Sequence, residues 1–426
     1  MEDTQRLVDA AYALHESLYA QTEEARAASM QRASEEAVAA VDACEAAVEA
    51  EGGPAKDAPM QARLWYLRGK SLACTPVGRS SDATIRLLSD AVKLDPALTD
   101  AWDCLGECFW SQGDLEAARF TFLGALEHAR TATTLCHLSM LLRGMSRQGP
   151  GVNEAQLSES VQLAKEAVRL NATSARAWCG LGNAHLALYG SLTSSVDDLQ
   201  MAHRAFVQAA KAIELQVVDG QPQAFSPAEG HSAAPEASGE VAPGGASGST
   251  VAAALPPQAA LPAGDPDLHV NHGTVLALLD QYDQAIKHFS VAHDLDPSLG
   301  ALSKRRAAWA HAGKVSELIE TKGNHKPKRL AALIAPLLAS PAPYHSLSQL
   351  QLGPNSARTV HLAVLHVLPQ DNSRCHEVAI VCDRSDQSVA LTLYSSRRNM
   401  LQVGDALEIT DPTLLRVEVS SPDTTE

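Results

Sequence analysis

The stretch TDAWDCLGECFWSQGDLEAARFTFLGAL, residues 99–126, decides the fold. Counted from Thr99 as position 1, Trp102, Leu105, Gly106 and Phe109 occupy positions 4, 7, 8 and 11, and Ala118, Phe122 and Ala125 occupy 20, 24 and 27. These spacings put one apolar face on each of two successive helices. Position 8 must be small because the two helices approach there, and the larger residues fill the space between them. A proline near position 32 stops the second helix, since it lacks the backbone donor that a helix interior needs. One such hairpin cannot bury both of its faces, so the pattern predicts a stack of similar units.

The spacing is that of the tetratricopeptide repeat, with a period of about 34 residues. Counting from Pro266, Gly273, Ala285, Phe289, Ala292 and Pro297 stand at 8, 20, 24, 27 and 32 when Pro266 is position 1. From Ala175, Trp178, Leu181 and Gly182 fit, and the second helix (Ala202, Phe206, Ala209) arrives eight residues late. From Ala132, Leu135, Leu138 and Leu142 fit with Ser139 in place of glycine, and an insertion precedes Ala164 and Ala167. From Ala62, Gly69 and Leu72 lie in the first helix, while Leu88, Ala91 and Pro96 close the second three residues late. Five units are readable; residues 4–50 are expected to add one more hairpin and 303–320 a terminal helix.

The rest of the chain is read around this stack. It has 426 residues, 45% hydrophobic but only 4% aromatic, which favours close-packed helices over a chain built mainly of β-sandwich. Residues 1–60 form an acidic helical segment, 61–302 the repeat domain, 303–340 a basic helical connector and 341–426 a β domain. Within the repeats, about 216–265 is rich in Ala, Pro, Gly and Ser and is read as a disordered insertion, with a docking segment as the functional alternative. Beyond 341, Val360–Leu368, Glu377–Cys382, Val389–Tyr394, Leu407–Ile409 and Leu414–Val419 are expected as five short strands of a small barrel or sandwich. The expected class is therefore mainly α, a tetratricopeptide-repeat superhelix with a small C-terminal β-barrel.

The net charge of −16 argues against broad contact with nucleic-acid phosphates or anionic lipid. No apolar run reaches the roughly 18–20 residues of a membrane span, and Met1-Glu-Asp-Thr has neither the basic nor the apolar region of a secretory signal. The eight cysteines are accordingly read as reduced thiols, and the location as cytoplasmic or also nuclear. Cys104 and Cys108 share a helix face but lack a partner pair at finger-like spacing, so small apolar filler is favoured over a metal ligand. No nucleotide, zinc-protease or hydrolase motif is found, so neither an enzyme nor a cofactor is expected. The basic stretch Lys304-Arg305-Arg306 with Lys322, Lys326, Lys328 and Arg329 fits RNA, a nuclear importer or an acidic protein face, or else a solvated connector.

A stack of this kind is a binding scaffold whose first helices line a groove. Positions 2, 5, 6, 9, 12 and 13 of each unit point inward, which selects Asp103, Glu107, Met140, Arg143, Arg176, Asn183, Asp267 and Asn271, among others. Amides can donate to and accept from a peptide backbone, and Arg143 offers a planar fork to a carboxylate. Asp267, Asp103 and Glu107 suit a basic side chain or an α-amino group. The groove reads as fitted to a short peptide carrying both charges.

The stretches LLSDAVKLDP, AWDCLGECFWSQGDLEAA, LSMLLR, AWCGLGNAHLALY, PDLHVN and VGDALEITDP, in this order, resemble the tetratricopeptide repeat protein five (Strap) family. The resemblance implies an OB fold for the C-terminal barrel. It also implies a ribosome-associated adaptor that recognises the Met-Arg-Glu-type N-terminal tetrapeptide of nascent tubulin and, through protein adaptors of mRNA decay, triggers decay of the tubulin message. The alternative implied is a transcription cofactor scaffold that binds a histone acetyltransferase coactivator in stress. By resemblance Arg143 is the groove arginine, Asp267 the groove aspartate, Asn183 and Asn271 groove amides, and Lys93 an outer, ribosome or partner contact. The chain departs from the family at Asp90, where a second basic residue is expected, and at Ala301, where a groove glutamate is expected.

Overall fold

A computed structural model describes residues 1–17, 23–50, 58–148, 151–218, 265–339, 344–369, 376–394 and 400–417. The helices are α1 (Glu2–Ser17), α2 (Glu23–Ala50), α3 (Ala58–Leu72), α4 (Pro76–Arg79), α5 (Asp82–Leu94), α6 (Thr99–Gln112), α7 (Leu115–His128), α8 (Ala132–Met145), α9 (Glu154–Leu170), α10 (Ala175–Leu188), α11 (Val196–Val218), α12 (Pro266–Leu278), α13 (Tyr282–Leu295), α14 (Ala301–Glu320) and α15 (Pro327–Ala339). The pairs α6/α7, α8/α9, α10/α11 and α12/α13 are the expected hairpins, preceded by α1/α2 and α3/α5 and closed by α14. Most of the proposed insertion, 219–264, lies outside the described residues; 216–218 complete α11 and Asp265 caps α12.

The departures from the 34-residue period have local causes. In the first readable unit, the short helix α4 sits between α3 and α5, capped by Thr75, and delays the second helix. In α10/α11, a π turn over Tyr189–Thr193 extends the first helix and makes the same kind of delay. The small residue at position 8 meets position 24 of its partner helix in every unit that has glycine. A Cβ added at Gly69 would stand 2.7 Å from Leu88, at Gly106 2.4 Å from Phe122, at Gly182 2.7 Å from Phe206 and at Gly273 2.9 Å from Phe289. In α8/α9, where serine replaces glycine, Ser139 Oγ donates to the buried Ser160 carbonyl at 2.8 Å.

At the α11/α12/α13 junction four histidines are buried together. His203 Nδ1 lies 3.0 Å from His272 Nε2, His269 Nδ1 lies 3.0 Å from His288 Nδ1, and the His272 and His288 rings are 4.3 Å apart. Burial, reinforced by the neighbouring histidines, pushes His272 well below the ordinary histidine value and His288 down to about 3. Burial, with Arg204 beside it, also lowers His203. The lowered values keep the His203, His272 and His288 rings neutral at neutral pH.

The β domain is an antiparallel sheet in the order β4 (Ser388–Leu393), β3 (Glu377–Cys382), β2 (Thr359–Val367), β5 (Ala406–Thr410), with a separate pair of β1 (Gly353–Pro354) and β6 (Thr413–Leu414). One expectation needs correction. The fifth strand, placed at 414–419, is the two-residue β6, paired only with β1, and 418–419 lie outside the described residues. Among the described residues no pairing joins the edge strands β4 and β5 of this sheet, and helices cover one of its faces. Alternate residues of β2 and β3 face opposite ways. Ala363, Leu365 and Cys382 pack on Ile334 and Leu337 of α15, and Val378 and Ile380 pack on Leu318 of α14. Val360, Leu362, Val364, Ala379 and Val381 pack with Leu347 and Leu401 on the other side. The sheet is locked to the repeats by Tyr394, whose hydroxyl donates to the Leu278 carbonyl at 2.8 Å, and by Thr392, which donates to Asp280 at 2.7 Å.

Two outcomes follow from this packing. Gly106→Val should lower stability by about 1–3 kcal/mol, the usual cost of overpacking, whereas Gly144→Ala should raise it by up to about 1 kcal/mol. Gly144 is also helical but has nothing within 4 Å of an added Cβ, so opposite signs in thermal melts check the close-approach argument. The histidine seam makes stability fall with acidification. Below about pH 6.5 the unfolded chain binds protons that the folded rings refuse, and for His288 this continues down to about 3. The slope is up to about 1.4 kcal/mol per pH unit for each of His203, His272 and His288. Melts at pH 7, 6 and 5 should show a smaller loss for His288→Phe than for the parent chain; equal losses would place the acid sensitivity elsewhere.

Candidate peptide groove

The first helices α1, α3, α6, α8, α10, α12 and α14 stand side by side, and their inward residues touch from one unit to the next. On α6, Asp103 and Glu107 face α8. Asp103 Oδ2 accepts from Thr134 at 3.0 Å, and Glu107 Oε1 lies 3.1 Å from His137 Nε2. Glu107 also accepts a hydrogen bond from Tyr12 of α1, two units away. Burial pushes the Glu107 carboxyl up, but His137, Arg79, the Tyr12 hydroxyl and Arg176 together hold it below the usual glutamate value. The guanidinium of Arg79, on the inserted helix α4, lies over the Tyr12 ring at 5.2 Å. Beneath it, Lys70 of α3 is buried and pairs with Asp9 at 2.6 Å. The near end of the groove is thus occupied by the chain's own N-terminal helix.

The middle and far end are more open. Met140 of α8 is 43% exposed. Arg143 is buried, and its Nη1 donates to the Gly180 carbonyl of α10 at 3.1 Å. Burial, with Arg147 nearby, pushes this guanidinium down to about 10, so it stays charged at neutral pH. A guanidinium has five N–H donors, and this one bond leaves most of the fork for a ligand. Arg176 Nη1 stands 3.2 Å from His137 Nε2. Asn183 and Asn271 are half-buried on α10 and α12, and Asp267 is exposed at the start of α12. Burial, then Asp265 and Asp296, raise the Asp267 carboxyl above its ordinary value.

Asp103 Oδ1 and His137 Nδ1, both buried, lie 3.8 Å apart, and neither has a hydrogen-bond partner among the described residues. Buried polar atoms are seldom left so, and a donor bridging them would satisfy both. Inward spacing within one unit did not reveal Tyr12, Arg79 or Lys70, because their contacts cross units. Lys304, read as part of the basic stretch, instead reaches the groove's far end, where its Nζ donates to Thr274 Oγ1 at 3.2 Å. Ala301 is fully buried against Val270 and Ala292, so its position offers no groove group. Lys93 is on the outer helix α5, exposed and paired with Asp90 at 3.0 Å. Burial pushes the groove thiol Cys136 up to about 11, and the hydrogen bond with Cys108, then burial, raise Cys104. Among the described residues no cluster of His, Cys, Asp or Glu has metal-site geometry, and no helix is long and apolar enough to cross a membrane.

Side-by-side helices with a polar inner face and a docked OB-like sheet define a protein-binding adaptor of the tetratricopeptide-repeat class. Residues 342–425 match the family model of the tetratricopeptide repeat protein 5 OB fold domain. The chain is 28% identical over 377 residues to tetratricopeptide repeat protein 5 of Mus musculus, covering 84% of this chain and 74% of that one. The human protein of the same name matches at 28% over 374 residues, covering 83% and 74%. A thermophilic TPR protein of Thermus thermophilus aligns with a TM-score of 0.37 at 16% identity, over 58% of this chain and 98% of that one. The chain is thus similar to tetratricopeptide repeat protein 5 over most of its length, in line with the sequence resemblance.

Tyr12→Phe should free α1 from Glu107. The loss of a hydrogen bond to a charged group, about 1.5–3 kcal/mol, predicts at least about tenfold faster amide exchange over residues 2–17 in hydrogen-exchange mass spectrometry. Unchanged exchange would mean that α1 is held by its apolar contacts alone.

Proposed function

We propose that the chain binds the N-terminal tetrapeptide of nascent tubulin at the ribosome and directs decay of the translated message, the function that the family resemblance implies. The observation that carries the reading is the charge layout of the open groove. A buried guanidinium, Arg143, stands on α8, and the acidic group Asp267 with Asp265 and Asp296 stands around the start of α12. A Met-Arg-Glu peptide brings a carboxylate for the first and an α-amino group or arginine for the second. Asn183 and Asn271 lie on the helices between and beside them and suit a peptide backbone. The closed near end agrees with a short ligand, since four extended residues span only about 13–14 Å.

Two features shape this reading. Ala301 supplies no carboxylate, so the basic part of the peptide falls to the Asp267 group. Lys93, the ribosome contact by resemblance, shares its charge with Asp90, which makes an outer contact through this residue alone weak. Recruitment of decay adaptors would then fall to the outer surfaces of the repeats or to the β domain.

Binding of a labelled Met-Arg-Glu-Ile peptide, read by fluorescence anisotropy, tests the proposal. Arg143→Ala and Asp267→Ala should each weaken it about tenfold or more, as expected for charge-assisted contacts worth about 1.5–3 kcal/mol. Affinity unchanged in both variants, or absent in the parent chain, would sink the tubulin reading and leave an adaptor for other peptides.

A further inference from the structure

The far end of the groove holds a cation that its own surroundings leave without an anion. On α12, Asp267, Asn271 and Thr274 follow one another at intervals of four and three residues and so share one face. Thr274 Oγ1 donates to the Val270 carbonyl at 2.8 Å, which leaves its lone pairs to accept from Lys304 Nζ of α14 at 3.2 Å. The rise along α12 from Asp267 to Thr274 is about 10 Å, so the ammonium stands apart from the Asp267 carboxyl. The two groups do not act on each other. Burial, then Asp265 and Asp296, raise Asp267, whereas Lys304, though exposed as a residue, is lowered by desolvation of its ammonium alone.

The sequence around Lys304 keeps it in this state. Exposed lysines elsewhere pair with a carboxylate three or four residues back, Lys93 with Asp90 at 3.0 Å and Lys287 with Asp283 at 2.6 Å. The residues three and four away from Lys304 are Gly300, Ala301, Ala307 and Ala308, and none carries a charge. Among the described residues Lys304 forms no ion pair, and its side-chain bond to Thr274 uses one of the three ammonium donors. The open groove therefore presents Arg143 on α8, Asp267 on α12 and Lys304 on α14, in the order cation, anion, cation. Met-Arg-Glu matches the first two and leaves the third unfilled.

We propose that Lys304, steadied by Thr274, forms a further subsite of the groove that takes a second carboxylate of the bound peptide. Packed helices lie about 8–10 Å apart, a distance spanned by about two to three extended residues. The second carboxylate is therefore about that far from the basic residue that meets Asp267, on the side away from Arg143. It is an acidic side chain ahead of the basic residue or, for a peptide that runs the other way, the C-terminal carboxylate. The subsite rests on the reading of this groove as a peptide site, but not on the tubulin tetrapeptide.

Anisotropy with the full chain tests it on two pairs of labelled peptides. Acetyl-Glu-Gly-Met-Arg-Glu-Ile-amide should bind about fivefold tighter than its acetyl-Gln counterpart if a side chain fills the subsite. The reversed acetyl-Ile-Glu-Arg-Met-Gly should gain as much as the free acid over the amide if a C-terminus does. Either gain should vanish in Lys304→Ala, an exposed position whose melt should match the parent chain, whereas Arg143→Ala should weaken both members of a pair alike. A gain that persists in Lys304→Ala, or no gain in either pair, would overturn the proposal. If no peptide of this series binds the parent chain, the tubulin reading fails, and a displayed library of random eight-residue peptides decides the subsite separately. Panned on the parent chain it should enrich an acid at one position that turns basic on Lys304→Glu, and a preference indifferent to that reversal would overturn the subsite as well.

Discussion

The inner face of this molecule depends on one close approach made in each hairpin. A residue without a Cβ lets the ring or leucine at position 24 press against the first helix, as Gly106 does for Phe122 and Gly273 for Phe289. Interiors pack densely and yield little to added volume, so this contact fixes how the two helices cross. With the crossing fixed, successive first helices fall side by side at similar spacing. Only then can Glu107 reach Tyr12 on one side and His137 on the other, or Arg143 reach the Gly180 carbonyl. The α8/α9 hairpin shows that the requirement is for closeness rather than for glycine. Ser139 is accommodated because its hydroxyl finds the Ser160 carbonyl on the facing helix.

That constraint is also why the helical stack is legible in the sequence. Gly106, Phe122 and their counterparts recur at fixed offsets, and the offsets change only where α4 or the π turn at Tyr189 lengthens a connection. The β domain is legible in its central strands, whose apolar alternation is strong. Its edges are not, because β6 is two residues long and pairs with β1 apart from the main sheet. The inward positions of the groove follow from the repeat, but their partners do not. Tyr12 meets Glu107 across two units, and Lys304 bends from a basic run to Thr274. Contacts of that range depend on superhelical geometry and leave no periodic trace.

Burial changes the meaning of the groove charges along its length. At the near end Lys70 is paired with Asp9, and Glu107 with His137 and Tyr12. A ligand for these groups would have to break bonds before making new ones. At the far end the balance is reversed. Arg143 is buried with a carbonyl as its partner, and Asp267 is crowded by two more carboxylates, so both are less comfortable ionised than in water.

A ligand that supplies an anion to Arg143 relieves the desolvation of the guanidinium, and one that supplies a cation to Asp267 relieves the repulsion among the three carboxylates. A ligand with only one of these charges leaves the other cost in place, and an apolar peptide leaves both. Specificity at such a site comes from the penalty on the wrong ligand as much as from contacts with the right one. Under the proposed reading, this exchange would let an acidic chain favour a peptide of mixed charge. The net charge of −16 is spread over surfaces screened by salt, whereas the groove charges act at short range under partial burial, where screening is weak.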